Sequence, residues 1–347
     1  MVTRTRNRKW QELEKDNTPL EKLARHFEAH NRSDGKSPRT VDWYKCVLRY
    51  FQNYLEEEGY STTLGDLTIQ VVKEFVVFLQ TREKWHDHPN PPSKDGHLSA
   101  TRVNNYVRGI RAFFNWLYRE GYTGENVLAS LRPPRAPRTL VDVITDEEVG
   151  DILRCLDGDT ASGCRDMAMI IVFLDCGLRL SELANLKFQD AHVEDGYLKV
   201  MGKGAKERIV PIGNVSQKIL QRYIYHFRPE PMREDNVFLT LEGQPISDNA
   251  IRLIVRRLAR KSGIKRLHAH LLRHTFATKY LMNGGDVFSL QQILGHTTLE
   301  MVKRYVTLAS AHVRVQHRRF SPVDRMNGNN LKALRGNHKR GNGNRKV

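Results

Sequence analysis

Residues 268–278 read HAHLLRHTFAT, placing three histidines and one arginine within seven positions. On a helix, two different pairs share a face here: His270 with His274 at i,i+4, and His270 with Arg273 at i,i+3. The first pair has the spacing of helical zinc ligands. The zincin pattern also requires Glu as its second residue, and Leu271 stands there. The second pair sets an imidazole beside a guanidinium, a donor set suited to phosphoryl oxygens. A purely structural histidine-bearing helix is the third reading, and the rest of the chain has to choose among them.

The chain has 347 residues, 39% of them hydrophobic, enough for two domains with real cores. No run approaches the roughly 20 apolar residues that span a bilayer, and the opening MVTRTRNRKW lacks the apolar stretch of a secretory signal, so a cytoplasmic protein without a membrane partner is expected. The four cysteines, Cys46, Cys155, Cys164 and Cys176, form no CxxC pair and read as buried, reduced thiols. A formal charge of +17 points to a polyanion, most often nucleic acid. The stretch from Arg314 onward carries ten basic residues against Asp324 alone, and the head adds Arg4, Arg6, Arg8 and Lys9. The two ends therefore supply +13 of that charge. Any nucleic-acid surface in the middle has to arise by local clustering.

Helix punctuation is clear in the first segment. Thr18-Pro19-Leu20-Glu21 has capping-box spacing, Ser37-Pro38 opens a second helix, Thr68 a third, and Ser99 a fourth that ends at Gly121. On the fourth, Arg102, Asn105 and Arg108 share the polar side as a candidate phosphate-contacting strip. The loop KWHDHPNPPSKDGH, with His86, His88 and His97 but no cysteine, reads as surface rather than zinc site. LRPPRAPRTL, residues 131–140, then breaks all periodicity. Beyond it, alternation over Tyr197–Met201 and Glu207–Ile212 around a glycine-rich turn marks a hairpin among helices. The expected fold is mainly α with a small β-hairpin. It divides as residues 1–132, a linker at 133–139, a second domain at 140–326, and a basic disordered tail at 327–347.

Several further signals are weak one at a time. In CGLRLSEL, residues 176–183, Gly177 stops an apolar helix, Ser181 is placed to cap the next, and Arg179 sits on the turn within reach of Glu182. VMGKGAKERIVPI sets Lys203 and Lys206 on the hairpin turn. In LQQILGHTTLEMVKRYV, Gly295 breaks a helix, His296 sits in the break, and Thr297 with Glu300 has the spacing of a capping box ahead of Tyr305. Taken in order, Arg179, Lys203, His270, Arg273, His296 and Tyr305, with the flanking words GLRLSEL, GKGAKERIVPI, HLLRHTFAT and ILGHTTLEMVKRY, closely resemble the tyrosine recombinase (phage integrase) family. The resemblance covers most of residues 140–310. It extends more weakly to the helical N-terminal segment, which looks like the family's core-binding, SAM-like domain.

That resemblance implies a two-domain, C-shaped clamp on double-stranded DNA and a homotetramer assembled at specific recombination sites, with accessory DNA-bending proteins as possible partners. It also implies strand exchange through a 3′-phosphotyrosine and a Holliday junction, with no metal and no nucleotide cofactor. By carry-over, Tyr305 is the nucleophile and Arg179 and Arg273 clamp the phosphate. Lys203 protonates the leaving 5′ oxygen, with Lys206 as the alternative. His270 accepts the tyrosine proton and His296 donates to a phosphate oxygen. The residue chemistry agrees, because forming a phenolate at pH 7 costs about 4 kcal/mol unless neighbours offset it, and guanidiniums are always charged. Arg252, Arg256, Arg257, Arg260, Lys261, Lys265 and Arg266 cluster before the catalytic helix as candidate backbone contacts, Arg256, Arg257 and Lys265 foremost. For the stretch 306–326 the resemblance implies docking on a neighbouring protomer, packing in cis is the alternative, and the sequence alone does not choose between them.

Overall fold

The computed structural model describes residues 15–82, 96–134, 142–202, 206–233, 235–308, 317 and 321. Most of the expected linker, the histidine-bearing loop except Gly96 and His97, Lys203, nearly all of the stretch after Leu308, and the basic tail lie outside these residues. The chain divides into two compact units, residues 1–139 and 140–347. No helix among the described residues is long and apolar enough to cross a membrane.

The first unit is a bundle of α1 (Leu20–Ser33), α2 (Pro38–Glu57), α3 (Ile69–Thr81) and α4 (Ala100–Arg119). Ser37, Thr68 and Ser99 cap α2, α3 and α4 by accepting from the N–H groups of Thr40, Val71 and Arg102. Thr18 does not cap α1. Pro19 occupies the N-cap position instead and bridges to Thr63, while the Leu20 N–H donates to the Thr62 carbonyl. Apolar residues one helical turn apart meet in one core that includes Leu23, Phe27, Phe51, Phe75, Ile110 and Phe114. Gly109 lets α4 cross α2 closely, since a Cβ there would lie 2.9 Å from Val47. Cys46, expected inside, is exposed: it falls on the polar face of α2, off the stripe formed by Val47, Leu48 and Phe51.

The second unit contains α5 (Asp146–Arg154), α6 (Ala161–Cys176), α7 (Leu180–Ala184), a sheet, α8 (Asn214–Arg222), α9 (Asp248–Lys261), α10 (Ala269–Met282), α11 (Val287–Leu294) and α12 (Glu300–Leu308). The expected hairpin is present as β2 (Tyr197–Met201) and β3 (Glu207–Pro211), antiparallel with Val200 opposite Arg208. A two-residue strand, β1 (Ala191–His192), extends it, too short to leave a periodic signal. Leu198, Val200 and Val210 face the core while Ile209 and Met201 are exposed, the period-two pattern of a sheet wet on one side. Helix α6 is buried nearly all round and packs on both α10 and α8. Thr275 of α10 accepts the Ile144 N–H at 2.9 Å, tying the start of the unit to the helix that carries Arg273.

Gly177 ends α6 in the left-handed region, φ +58°, with its missing Cβ 2.2 Å from the Phe276 ring. Gly177→Ala is therefore expected to cost on the order of 2–4 kcal/mol, combining left-handed strain with overpacking against α10. Denaturant unfolding measures it. An unchanged midpoint would mean that the Phe276 ring swings aside at no cost.

Candidate active site

Four elements converge beyond the Gly177 turn. Arg179, in extended conformation, is the N-cap of α7, and Glu182 accepts its backbone N–H at 2.8 Å. The cap expected of Ser181 is thus supplied differently, because the helix begins at Leu180, before Ser181. Glu182 also accepts from the Arg179 side chain at 2.6 Å, and from both terminal nitrogens of Arg208, on β3, at 2.8 Å each. Arg208 further donates to the Ile293 carbonyl at 2.7 Å. Arg273 comes up from α10 with its guanidinium 4.0 Å from Glu182, and donates to the Gly177 and Leu294 carbonyls at 2.5 and 2.7 Å. Three guanidiniums thus surround one carboxylate, leaving an excess of two positive charges to meet an anion.

Burial opposes ionisation of Glu182, but the Arg208 hydrogen bonds and charge, with the Arg179 backbone and side chain, outweigh it and hold the carboxyl at about 2. Burial and the neighbouring Arg179 charge pull Arg273 down to about 10, so it remains a cation at neutral pH. Because the carboxyl's folded pKa is depressed, its contribution is complete above about pH 4.5 and is lost as pH falls towards about 2. Wild type is accordingly expected to lose about 3 kcal/mol relative to Glu182→Gln across that window. Denaturant unfolding of the two chains at several pH values reads this difference, and parallel curves would contradict it.

Gly295 ends α11 at φ +61°, and His296 follows it, nearly buried. Arg273 donates to His296 Nε2 at 3.1 Å. Since guanidinium nitrogens only donate, Nε2 is the acceptor and the neutral ring carries its proton on Nδ1. His296, Arg208, Lys206, Gly202, Phe288 and Gln291 line a cleft of about 490 Å³ between the hairpin and α11. Tyr305, on α12, is 0% exposed, and its hydroxyl lies 2.7 Å from His274 Nδ1. Helix α12 begins at Glu300, so the capping box expected from Thr297 does not form. His270 is exposed one turn before His274.

Arg179, Arg273 and His296 are thus brought together, with Tyr305 joined to α10 through His274, while Lys203 lies outside the described residues. Arg179 is 31% exposed and Arg273 only 2%, so Arg179 is the more accessible of the two guanidiniums. Among the expected nucleic-acid contacts, Arg102, Asn105, Arg108, Arg256 and Lys265 are exposed. Arg257 is exposed as well while also pairing with buried Asp166 at 2.8 Å, and Arg266 pairs with Asp142 and Glu148. Both have structural partners that their place in a basic run did not reveal. Three residues of the site went unrecognised as such in the sequence: Glu182 as its hub, Arg208, and His274 as the partner of Tyr305. The i,i+3 spacing from Arg179 was the available signal for Glu182.

Comparison with known proteins identifies the family of both units. Residues 142–312 match the phage integrase family model and residues 20–132 the phage integrase SAM-like domain. The tyrosine recombinase XerD of Listeria monocytogenes serotype 4b is 30% identical over 293 residues, 83% of this chain and 94% of that one. XerC of Oceanobacillus iheyensis is 31% identical over 299 residues, 84% and 92% of the two chains. Among solved structures, the XerH recombinase bound to a palindromic difH substrate shares the fold at a TM-score of 0.66 and 20% identity, covering 86% of this chain and 82% of that one. The Tn1549 transposon integrase in complex with transposon right-end DNA does so at 0.65 and 18% identity, covering 83% and 94%. The chain belongs to the tyrosine recombinase (phage integrase) family, whose members are site-specific DNA recombinases.

Proposed function

We propose that this recombinase acts on double-stranded DNA at one class of recombination site, as a cytoplasmic enzyme that assembles as a homotetramer on DNA and is carried by a mobile element. Tyr305 attacks the scissile phosphate, the chain holds the DNA end as a 3′-phosphotyrosine, and a second exchange resolves the Holliday junction. The observation that carries the reading is the set of guanidiniums ordered around Glu182 beside His296, with Tyr305, on α12, hydrogen-bonded to His274 of the helix that bears Arg273. Arg179 and Arg273 neutralise non-bridging oxygens as charge builds in the transition state. His296 donates from Nδ1. Lys203, or Lys206 on the same turn, protonates the departing 5′ oxygen. The phosphotyrosine ester conserves the energy of the broken bond, so rejoining needs no nucleotide. Exposed Arg102, Asn105 and Arg108 in the first unit, and Arg256, Arg257 and Lys265 in the second, contact the DNA backbone; accessory DNA-bending proteins assist at some sites.

Likeness to XerD along 94% of that protein favours a second reading, resolution of chromosome dimers at a single locus. Rapid denaturation of expressing cells, recovery of covalent protein–DNA adducts and sequencing of the attached DNA tests both. Attached DNA at the ends of a mobile element supports the first reading and a single chromosomal locus the second. Purified protein is expected to form the same adduct in chelator, because guanidiniums supply the positive charge. Loss of the adduct on chelation would overturn this account of the chemistry.

A further inference from the structure

The Tyr305 hydroxyl has a hydrogen-bond partner that the sequence did not single out. His274 Nδ1 lies 2.7 Å from the Tyr305 hydroxyl, and the two rings meet at 5.5 Å between centroids with a 53° tilt. The other flank of the His274 ring meets His270 edge to face, at 4.2 Å. His274 is half-buried and Tyr305 wholly buried, so the contact is largely shielded from bulk water, and in that lower-dielectric surrounding a hydrogen bond is electrostatically stronger. The backbone of α10 holds His274 directly after Arg273, which fixes the spacing between the base and the phosphate-binding guanidinium.

We infer that His274, rather than His270, takes the Tyr305 proton during strand cleavage. The inference rests on Tyr305 being the nucleophile. The Tyr305 O–H bond breaks and its proton passes to Nδ1 of neutral His274, which becomes an imidazolium with its original proton on Nε2. The phenolate oxygen bonds to phosphorus as the P–O5′ bond breaks, and the 5′ oxygen leaves with that electron pair and takes a proton from the hairpin lysine. Rejoining runs the same transfers backwards: the lysine recovers its proton from the attacking 5′ hydroxyl, and His274 returns its own to Tyr305. His270, exposed one turn earlier, is left to donate to a phosphate oxygen.

The test compares wild type, His274→Asn, His274→Phe and Tyr305→Phe on a duplex bearing the site recovered from wild-type adducts in cells. A second duplex carries sulfur in place of the scissile 5′ oxygen, a leaving group that needs no protonation. His274→Asn retains an acceptor near the Nδ1 position but cannot hold a proton. Its single-turnover cleavage is expected to fall on the order of 10²–10⁴-fold on both duplexes, with His274→Phe falling at least as far. A wild-type rate for His274→Asn would overturn the inference, since holding the hydroxyl would then be the residue's whole contribution. Recovery on the sulfur duplex would also overturn it, placing the defect at the leaving group. An adduct persisting in Tyr305→Phe would instead defeat the underlying reading of the nucleophile. Independently of DNA, ¹⁵N spectra of the full chain are expected to show the His274 proton on Nε2, with the Nδ1 resonance moving in Tyr305→Phe. A proton on Nδ1 would overturn the inference without reference to cleavage.

Discussion

Tyr305→Phe is expected to abolish covalent protein–DNA adducts completely while leaving a folded chain that still binds DNA. The ring is 0% exposed and belongs to the core cluster of the second unit, so phenylalanine keeps its packing and removes only the hydroxyl. The stability cost is that of one hydrogen bond to His274, on the order of 1–2 kcal/mol. Loss of function and retention of fold thus separate cleanly. Denaturing gels of cells or of purified protein with DNA read the adduct, and thermal unfolding reads the fold. A surviving adduct would assign the nucleophile to another residue. Loss of DNA binding together with the adduct would mean that the hydroxyl serves structure more than chemistry.

Glu182→Ala is expected to fail in both respects. The carboxylate is buried and accepts four hydrogen bonds from Arg179 and Arg208, with Arg273 4.0 Å away. Removing it leaves three guanidiniums close together with no counter-charge. Breaking a buried ion network by deleting one partner costs about 3–5 kcal/mol. For a unit of this size that lowers Tm by on the order of 10 °C. Cleavage is expected to fall on the order of 10²-fold even where the chain remains folded, because Arg179 is no longer held toward the phosphate. Thermal unfolding and single-turnover cleavage, each compared with Glu182→Gln, separate these effects. A change below about 1 kcal/mol would show that the Gly177, Ile293 and Leu294 carbonyls suffice to hold the arginines.

What was legible in the sequence depended on neighbours along the chain. Ser37, Thr68 and Ser99 act on N–H groups three residues away, Gly177 and Gly295 end helices through their own backbone, and the hairpin is an alternation closed by its turn. Such signals fail where a distant segment competes locally, as when the Thr62–Thr63 segment meets the start of α1 and displaces the Thr18 cap. The order of the six site residues was also visible, since the words around them are short and specific. Which atoms those residues hold was not. Glu182 meets Arg208 across 26 positions, Arg257 meets Asp166 across 91, and His274 meets Tyr305 across 31. A helix face states only that a residue is free to interact on that side; the core formed by α6, α10 and the sheet decides which side chain from elsewhere arrives there. By itself the sequence determined the helices, the hairpin and the family. Only tertiary structure decided that a buried carboxylate orders the arginines and that the Tyr305 hydroxyl rests on His274, because those pairings are made by packing between elements far apart in the chain.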